Sequence, residues 1–160
     1  MIRATNAIAA IVLIAAASHP YAGTLDLLSF RIDLPDGWTY SVEAGPGDER
    51  GDAVTFRHTD DNGHLKIMSY DAPVAITEDR LRNLTNVDAR VPLAWQHWGE
   101  FAGYHYAYEE QGAFYRQWFL VNGQTLLLVT YQGDPFTKYR VAADLDRMIR
   151  SLTVNPPPAR

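Results

Sequence analysis

The sequence contains no cysteine. That excludes disulfides, a thiolate nucleophile and a cysteine-linked lipid anchor. Cations are few: 14 Lys and Arg stand against 19 Asp and Glu, a formal charge of −5. This balance argues against an electrostatic nucleic-acid binder. No apolar run approaches the roughly 20 residues of a helical membrane span. The longest is the eleven-residue stretch 7–17. Catalytic signatures are also missing. Ser29, Ser41, Ser69 and Ser151 sit in no Gly-x-Ser-x-Gly elbow. No Gly-rich phosphate loop follows a strand pattern. Glu109 and Glu110 are adjacent, so on a strand they point to opposite faces and cannot share a pocket as an acid/base pair. No repeat and no linker divides the chain. These absences leave no catalytic residue, no cofactor site and no metal site assigned, and the chain reads as a non-enzyme.

What remains is ordinary globular composition. The 160 residues are 47% hydrophobic and 21% charged, which fits one domain. Arg3, the apolar stretch 7–17 and Ala22 before Gly23 make a secretory leader, residues 1–22. Its removal leaves no segment for stable membrane insertion. A secreted domain without disulfides fits a bacterial periplasm. Residues 23–154 then form a single domain. Residues 155–160, with Pro156, Pro157 and Pro158, form a Pro-rich tail.

The stretch 114–131 organises the domain. Asn122-Gly123 separates two β-prone runs, which predicts a hairpin on a type I′ turn. That turn would set Val121 against Gln124 and Trp118 against Leu127. On the first strand Phe114, Arg116, Trp118 and Leu120 share one face, and Tyr115, Gln117, Phe119 and Val121 the other. Both faces are largely apolar, so the strand belongs in the middle of a sheet covered on both sides. Other strands read from alternation at 27–34, 38–43, 53–58 and 64–70, the last two joined through Asp60-Asp61-Asn62-Gly63. Residues 44–52 read as a loop. Thr77 caps a helix predicted to run to about residue 88–90, with Leu81, Leu84 and Val87 on one face. A second helix is predicted to open at Asp134-Pro135 and to carry Val141, Ala142, Leu145, Met148, Ile149 and Leu152 as its apolar stripe. The fold class is α+β: an antiparallel sheet of about six to eight strands covered by helices, an α/β/α sandwich.

Two constellations offer function. His58 and His64 flank a loop with Asp60 and Asp61, so a metal-dependent hydrolase is the third reading; turn chemistry explains the same residues without a metal. The aromatic band is the better feature. Trp95, Trp98, Tyr104, Tyr106 and Tyr108 form a candidate binding surface, because tyrosine and tryptophan combine rigid apolar area with a polar tip. Sheet packing explains aromatics equally well. A protein partner is the leading expectation. A small apolar ligand or lipid, carried by the same band, is the second.

The motif Phe30-x-Ile32-x-Leu34-Pro35-x-Gly37-Trp38 resembles the opening of the PsbP-like superfamily, which includes bacterial DcrB-like proteins. So does the late order: a strand with Arg116-Gln117-Trp118, a turn, a strand ending Val129-Thr130-Tyr131, and a helix closing Ile149-Arg150-Ser151-Leu152. The resemblance spans most of residues 30–154. It implies an α/β/α sandwich, no catalytic residues, and a role in binding or stabilising other proteins: an adaptor, a subunit stabiliser or an immunity-type protein.

Overall fold

The structure is a computed structural model, and it describes residues 22–44 and 52–155. Residues 1–21 of the expected leader, the centre of the expected 44–52 loop and Pro156 onward lie outside the described residues. Seven strands form one antiparallel sheet: β3 (Trp38–Ala44), β4 (Asp52–His58), β5 (His64–Asp71), β6 (Gln96–Trp98), β7 (Phe101–Glu110), β8 (Ala113–Asn122) and β9 (Thr125–Gly133). Their spatial order is β3-β4-β5-β9-β8-β7-β6. A second sheet, order β1-β2-β10, joins β1 (Gly23–Asp26), β2 (Phe30–Leu34) and β10 (Thr153–Val154). Two helices complete the fold, α1 (Glu78–Leu84) and α2 (Ala142–Arg150).

The two faces of the large sheet are covered unequally. The inner face carries Trp38, Phe56, Leu65, Ile67, Trp118, Leu120, Val129 and Tyr131, all buried. Over it lie α2, through Leu145, Met148 and Ile149, and the small sheet, through Phe30, Ile32 and Leu34. Each large apolar side chain buried here contributes about 1.5–3 kcal/mol, so this layer dominates stability. Among the described residues the outer face is covered only at one end. There Leu81 of α1 meets Tyr104 and Val121, with Ile76, Leu93, Trp95, Phe119 and Leu126 packed around them.

The small sheet is the main addition to the sequence reading. Its outer members are four and two residues long, too short to show a period. Strand β2 begins at Phe30 instead of residue 27, because Leu27 N–H turns back to the Phe30 carbonyl. Leu28 is consequently 56% exposed instead of joining the buried row.

The central hairpin forms, with a register two residues away from the expected one. Asn122 pairs with Thr125, and Trp118 with Val129. The two-residue loop is Gly123-Gln124, with Gly123 at φ +58° and Gln124 not left-handed, the pattern of a type II′ turn. Asn122 stays in the strand, where its side-chain N–H donates to the Glu100 carbonyl at 2.7 Å. A shift of two preserves side-chain parity, so each residue keeps its expected face. The type I′ geometry occurs instead between β7 and β8, where Gln111 and Gly112 have φ +49° and +77°.

Both helices are shorter than their apolar patterns suggest. Thr77 caps α1 as expected, its Oγ1 accepting from Arg80 N–H at 3.3 Å. The helix stops at Leu84, and Asn86 turns left-handed at φ +54°. The Arg82 guanidinium then donates to the carbonyls of Val87, Asp88 and Val91, holding that segment out of the helix. Of the expected apolar face only Leu81 is fully buried; Leu84 is 49% exposed. Asp134 does not start α2. Its Oδ1 accepts from Phe136 N–H at 2.8 Å, a local turn, and turns continue to Val141 before the helix begins.

Gly103 shows how closely β7 and β8 approach. A Cβ at this position would sit 1.8 Å from the Phe119 carbonyl oxygen. That oxygen is main chain of the neighbouring strand and has no rotamer to yield. Gly103→Ala is therefore expected to lower the unfolding free energy by about 1–3 kcal/mol, as overpacking does. Chemical denaturation measures this; an unchanged midpoint would contradict the close approach.

Candidate functional site

The histidine pair is separated by the alternation of the hairpin that carries it. His58 lies opposite Trp38 on the inner face, ring centroids 5.4 Å apart, and its Nδ1 accepts from Asp60 N–H. His64 lies opposite Gln132 on the outer face. Burial lowers the proton affinity of His64, and the neighbouring Arg57 and Lys66 lower it further. Those two cations would also repel a metal ion. Asp61 Oδ2 accepts from Gly63 N–H and from the Tyr131 hydroxyl at 2.7 Å, so this carboxylate is committed to the turn. The loop that offered ligands thus sends its histidines to opposite sides of the sheet. Among the described residues no group of three or more His, Cys, Asp or Glu could hold a metal.

The aromatic band divides in the same way. Trp98 faces inward and is 6% exposed, packed edge-on to Trp118 at 6.1 Å. Tyr104 faces outward but is buried under α1; its hydroxyl donates to Glu78 Oε1 at 3.3 Å, and Trp95 packs edge-on to it at 5.3 Å. Burial is the first cause that raises the Tyr104 pKa, with Glu78 adding to it. Trp98 and Tyr104 are therefore core residues, and Trp95 helps to seal the α1 end. This corrects the expectation that all five aromatics share one surface. Only Tyr106 and Tyr108 extend past the helix.

They acquire partners from β8. Strand pairing sets Tyr106 against Gln117 and Tyr108 against Tyr115. The Tyr106 hydroxyl donates to Gln117 Oε1. The rings stack in series: Phe119 to Tyr106 at 6.2 Å, Tyr106 to Tyr108 at 5.5 Å, and Tyr108 to Tyr115 at 4.9 Å, with interplanar angles of 10°, 17° and 12°. Phe119 lies partly under the α1 cluster, and the series runs from it onto the uncovered sheet. The hydroxyls of Tyr106 and Tyr108 are pushed above their ordinary pKa by burial first, then by neighbouring acidic groups, including Glu110 beside Tyr108. They are neutral at physiological pH. The result is a rigid apolar ridge with polar tips, half-buried, on a part of the outer sheet face that α1 does not reach. The sequence placed Tyr115 and Phe119 on one strand face, opposite Trp118; what it did not show was the register that stacks them on Tyr106 and Tyr108.

A third group lies on the inner face and had no sequence signal. Arg116 Nε donates to His105 Nε2 at 3.2 Å, and Arg116 Nη2 pairs with Asp146 at 2.7 Å. These partners are 11 and 30 residues away in the chain. The His105 ring lies 4.7 Å from that of Trp118. Burial, helped by the Arg116 charge, pushes His105 down to about 4 from its ordinary 6.5, although Asp146 opposes this.

No family model matches the sequence, and no curated protein matches it. Nine solved chains do match. One is a crystal structure from Bacteroides thetaiotaomicron VPI-5482 at 1.50 Å resolution, with a TM-score of 0.59 and 16% identity. The match covers 88% of this chain and 51% of that one, so this chain spans about half the neighbour's length. At this identity the likeness supports the α+β fold and carries no function.

The shifted His105 makes stability depend on pH. The unfolded chain binds its proton near 6.5 and the folded chain only near 4. Between those values the unfolded state holds more protons, so folding weakens as pH falls. The melting temperature should drop on acidification from 6.5 to 4, and His105→Gln should flatten the curve. Parallel curves for the two proteins would contradict the assignment.

Proposed function

We propose that this chain is a secreted, periplasmic, non-enzymatic accessory protein that binds a protein partner on the outer face of its large sheet, around Tyr106, Tyr108 and Tyr115. The observation that carries the proposal is the ring series itself. It lies where α1 ends, it is stiffened by stacking and by the Tyr106–Gln117 hydrogen bond, and it presents both apolar area and hydroxyl groups. Pre-ordered aromatics lose little side-chain freedom on association, which is why they dominate interface energetics. Arg3, residues 7–17 and Ala22 support secretion, with β1 opening at Gly23 directly after the expected cleavage. The resemblance to the PsbP-like superfamily supports a partner-binding or partner-stabilising role. The acidic net charge favours protein over nucleic acid.

Site-specific photocrosslinking in the native host's periplasm tests this. A crosslinker at Tyr108 should capture one defined protein, and a crosslinker at Tyr139, on the β9–α2 connection, should not. In the purified complex, Tyr108→Ala should weaken affinity by about thirtyfold or more, the loss of a 2 kcal/mol hot spot. Its melting temperature should stay well above that of Trp118→Ala. Capture of lipid or another small apolar molecule at Tyr108, with no protein, would replace the proposal with the carrier reading.

A further inference from the structure

The large sheet ends at an open edge beside the tyrosine ridge. Strand β6 pairs with β7 over three residues, Phe101, Ala102 and Gly103. Beyond them Trp95 packs on Tyr104. From His105 to Glu109, among the described residues, no strand pairs with the far side of β7. Two hairpins fix which main-chain groups point out there. Gly99-Glu100 closes β6–β7 on the pair Trp98–Phe101, and Gln111-Gly112 closes β7–β8 on the pair Glu110–Ala113. The pair that flanks a two-residue loop exchanges hydrogen bonds, and bonded positions recur at every second residue. Even-numbered residues of β7 therefore bond to β8, and odd-numbered ones point to the other side. Phe101 and Gly103 meet β6 there, whereas the N–H and C=O groups of His105, Ala107 and Glu109 face out. Among the described residues none of these groups has a backbone partner.

An edge of this kind is a template for another strand, and proteins commonly block it with proline, a bulge or charge. This run of β7 has no proline, and its pairing with β8 is unbroken from Ala102 to Glu110. Its one carboxylate, that of Glu109, is neutralised by Lys138 at 2.7 Å. Ala107, at the centre, is small and exposed.

We infer that β7 is a dimer edge, pairing antiparallel with β7 of a second copy of this chain about a two-fold axis at Ala107. Three outward residues spaced by two make the edge self-complementary. Centred on Ala107, His105 meets Glu109 of the second copy, Ala107 meets Ala107, and Glu109 meets His105, each pair exchanging two hydrogen bonds. A shift of two residues in either direction leaves two of these three pairs, and a shift of four leaves one. The centred register also keeps like charges apart, which matters in a chain of net charge −5. Glu109 lies opposite a histidine, and Glu110 opposite Tyr104. On the outer face Tyr106 meets Tyr108 of the second copy, in the closely spaced type of pair, roughly 4.5 Å between Cα atoms. Aromatic cross-strand pairs stabilise sheets, and the ridge thus continues across the axis. The inference does not rest on the partner reading: it uses the edge of β7, and the outer faces of the rings stay open.

Sedimentation equilibrium of the purified protein, from about 1 μM to about 1 mM, tests the inference over the range of weak to moderate association. A concentration-dependent monomer–dimer equilibrium is the expected result. Ala107→Pro removes the outward N–H and spares the even-numbered ladder to β8, a change that a strand edge tolerates. It should weaken the dimer about tenfold or more, since each copy loses a hydrogen-bond donor. A charge exchange fixes the axis. Ala107→Lys and Ala107→Glu each set like charges face to face and should each dissociate, whereas their equimolar mixture should associate again. Both changes fall at an exposed position and should leave the melting temperature of the monomer close to wild type. A monomer throughout the concentration range would overturn the inference. So would a dimer indifferent to Ala107→Pro, or a mixture that associates no more tightly than its components.

Discussion

Strand β8 alternates apolar side chains on both faces, and the fold answers that demand twice. Inward, Trp118 and Leu120 are covered by α2 and by the small sheet that β2 anchors. Outward, Val121 and Phe119 are covered by α1 and its flanking loop. The inward answer is complete. Its helix presents Leu145, Met148 and Ile149 to the sheet, and β2 adds Phe30, Ile32 and Leu34. The outward answer stops early, because α1 has only seven residues and one fully buried side chain, Leu81.

That inequality leaves an aromatic surface beyond the end of α1. Beyond the end of α1 the β7–β8 pair stays rich in aromatic side chains. It continues as Tyr106, Tyr108 and Tyr115, which stack on one another instead of on a helix. Stacking offsets part of the cost of exposure and fixes the rings before any encounter. The inner face solves a different problem at its β6–β7–β8 side. There the cover is polar, with Arg116 and Arg150 over Trp118 and Trp98. The two faces thus offer different chemistry: a neutral aromatic ridge outside and arginines over tryptophan rings inside.

Much of this was legible in the sequence because side-chain parity survives errors of register. The hairpin turn is displaced by one residue, which shifts the pairing register by two, yet Trp118 still points inward and Tyr115 outward. The stripe of α2 was equally clear, since Leu145, Met148 and Ile149 keep the helical period. Boundaries were less legible. Arg82 ends the α1 region by bonding three carbonyls, an event governed by one long side chain and invisible in an apolar pattern. Sites were least legible. The aromatic band looked continuous along the chain, but strand parity sends Trp98 inward, and α1 covers Tyr104. His105, Arg116 and Asp146 come together only through strand pairing and helix placement, so no local motif announces them.

The central claim is that one face of the large sheet is sealed while the other leaves its tyrosines open for a partner. Hydroxyl-radical footprinting reads this residue by residue. In the isolated protein Tyr106, Tyr108 and Tyr115 should be modified, while Trp118 and Tyr131, both fully buried, should not. In the partner complex those three tyrosines should become protected and the buried pair should stay silent. Unreactive Tyr108 and Tyr115 in the isolated protein, or full reactivity of both in the complex, would contradict the account.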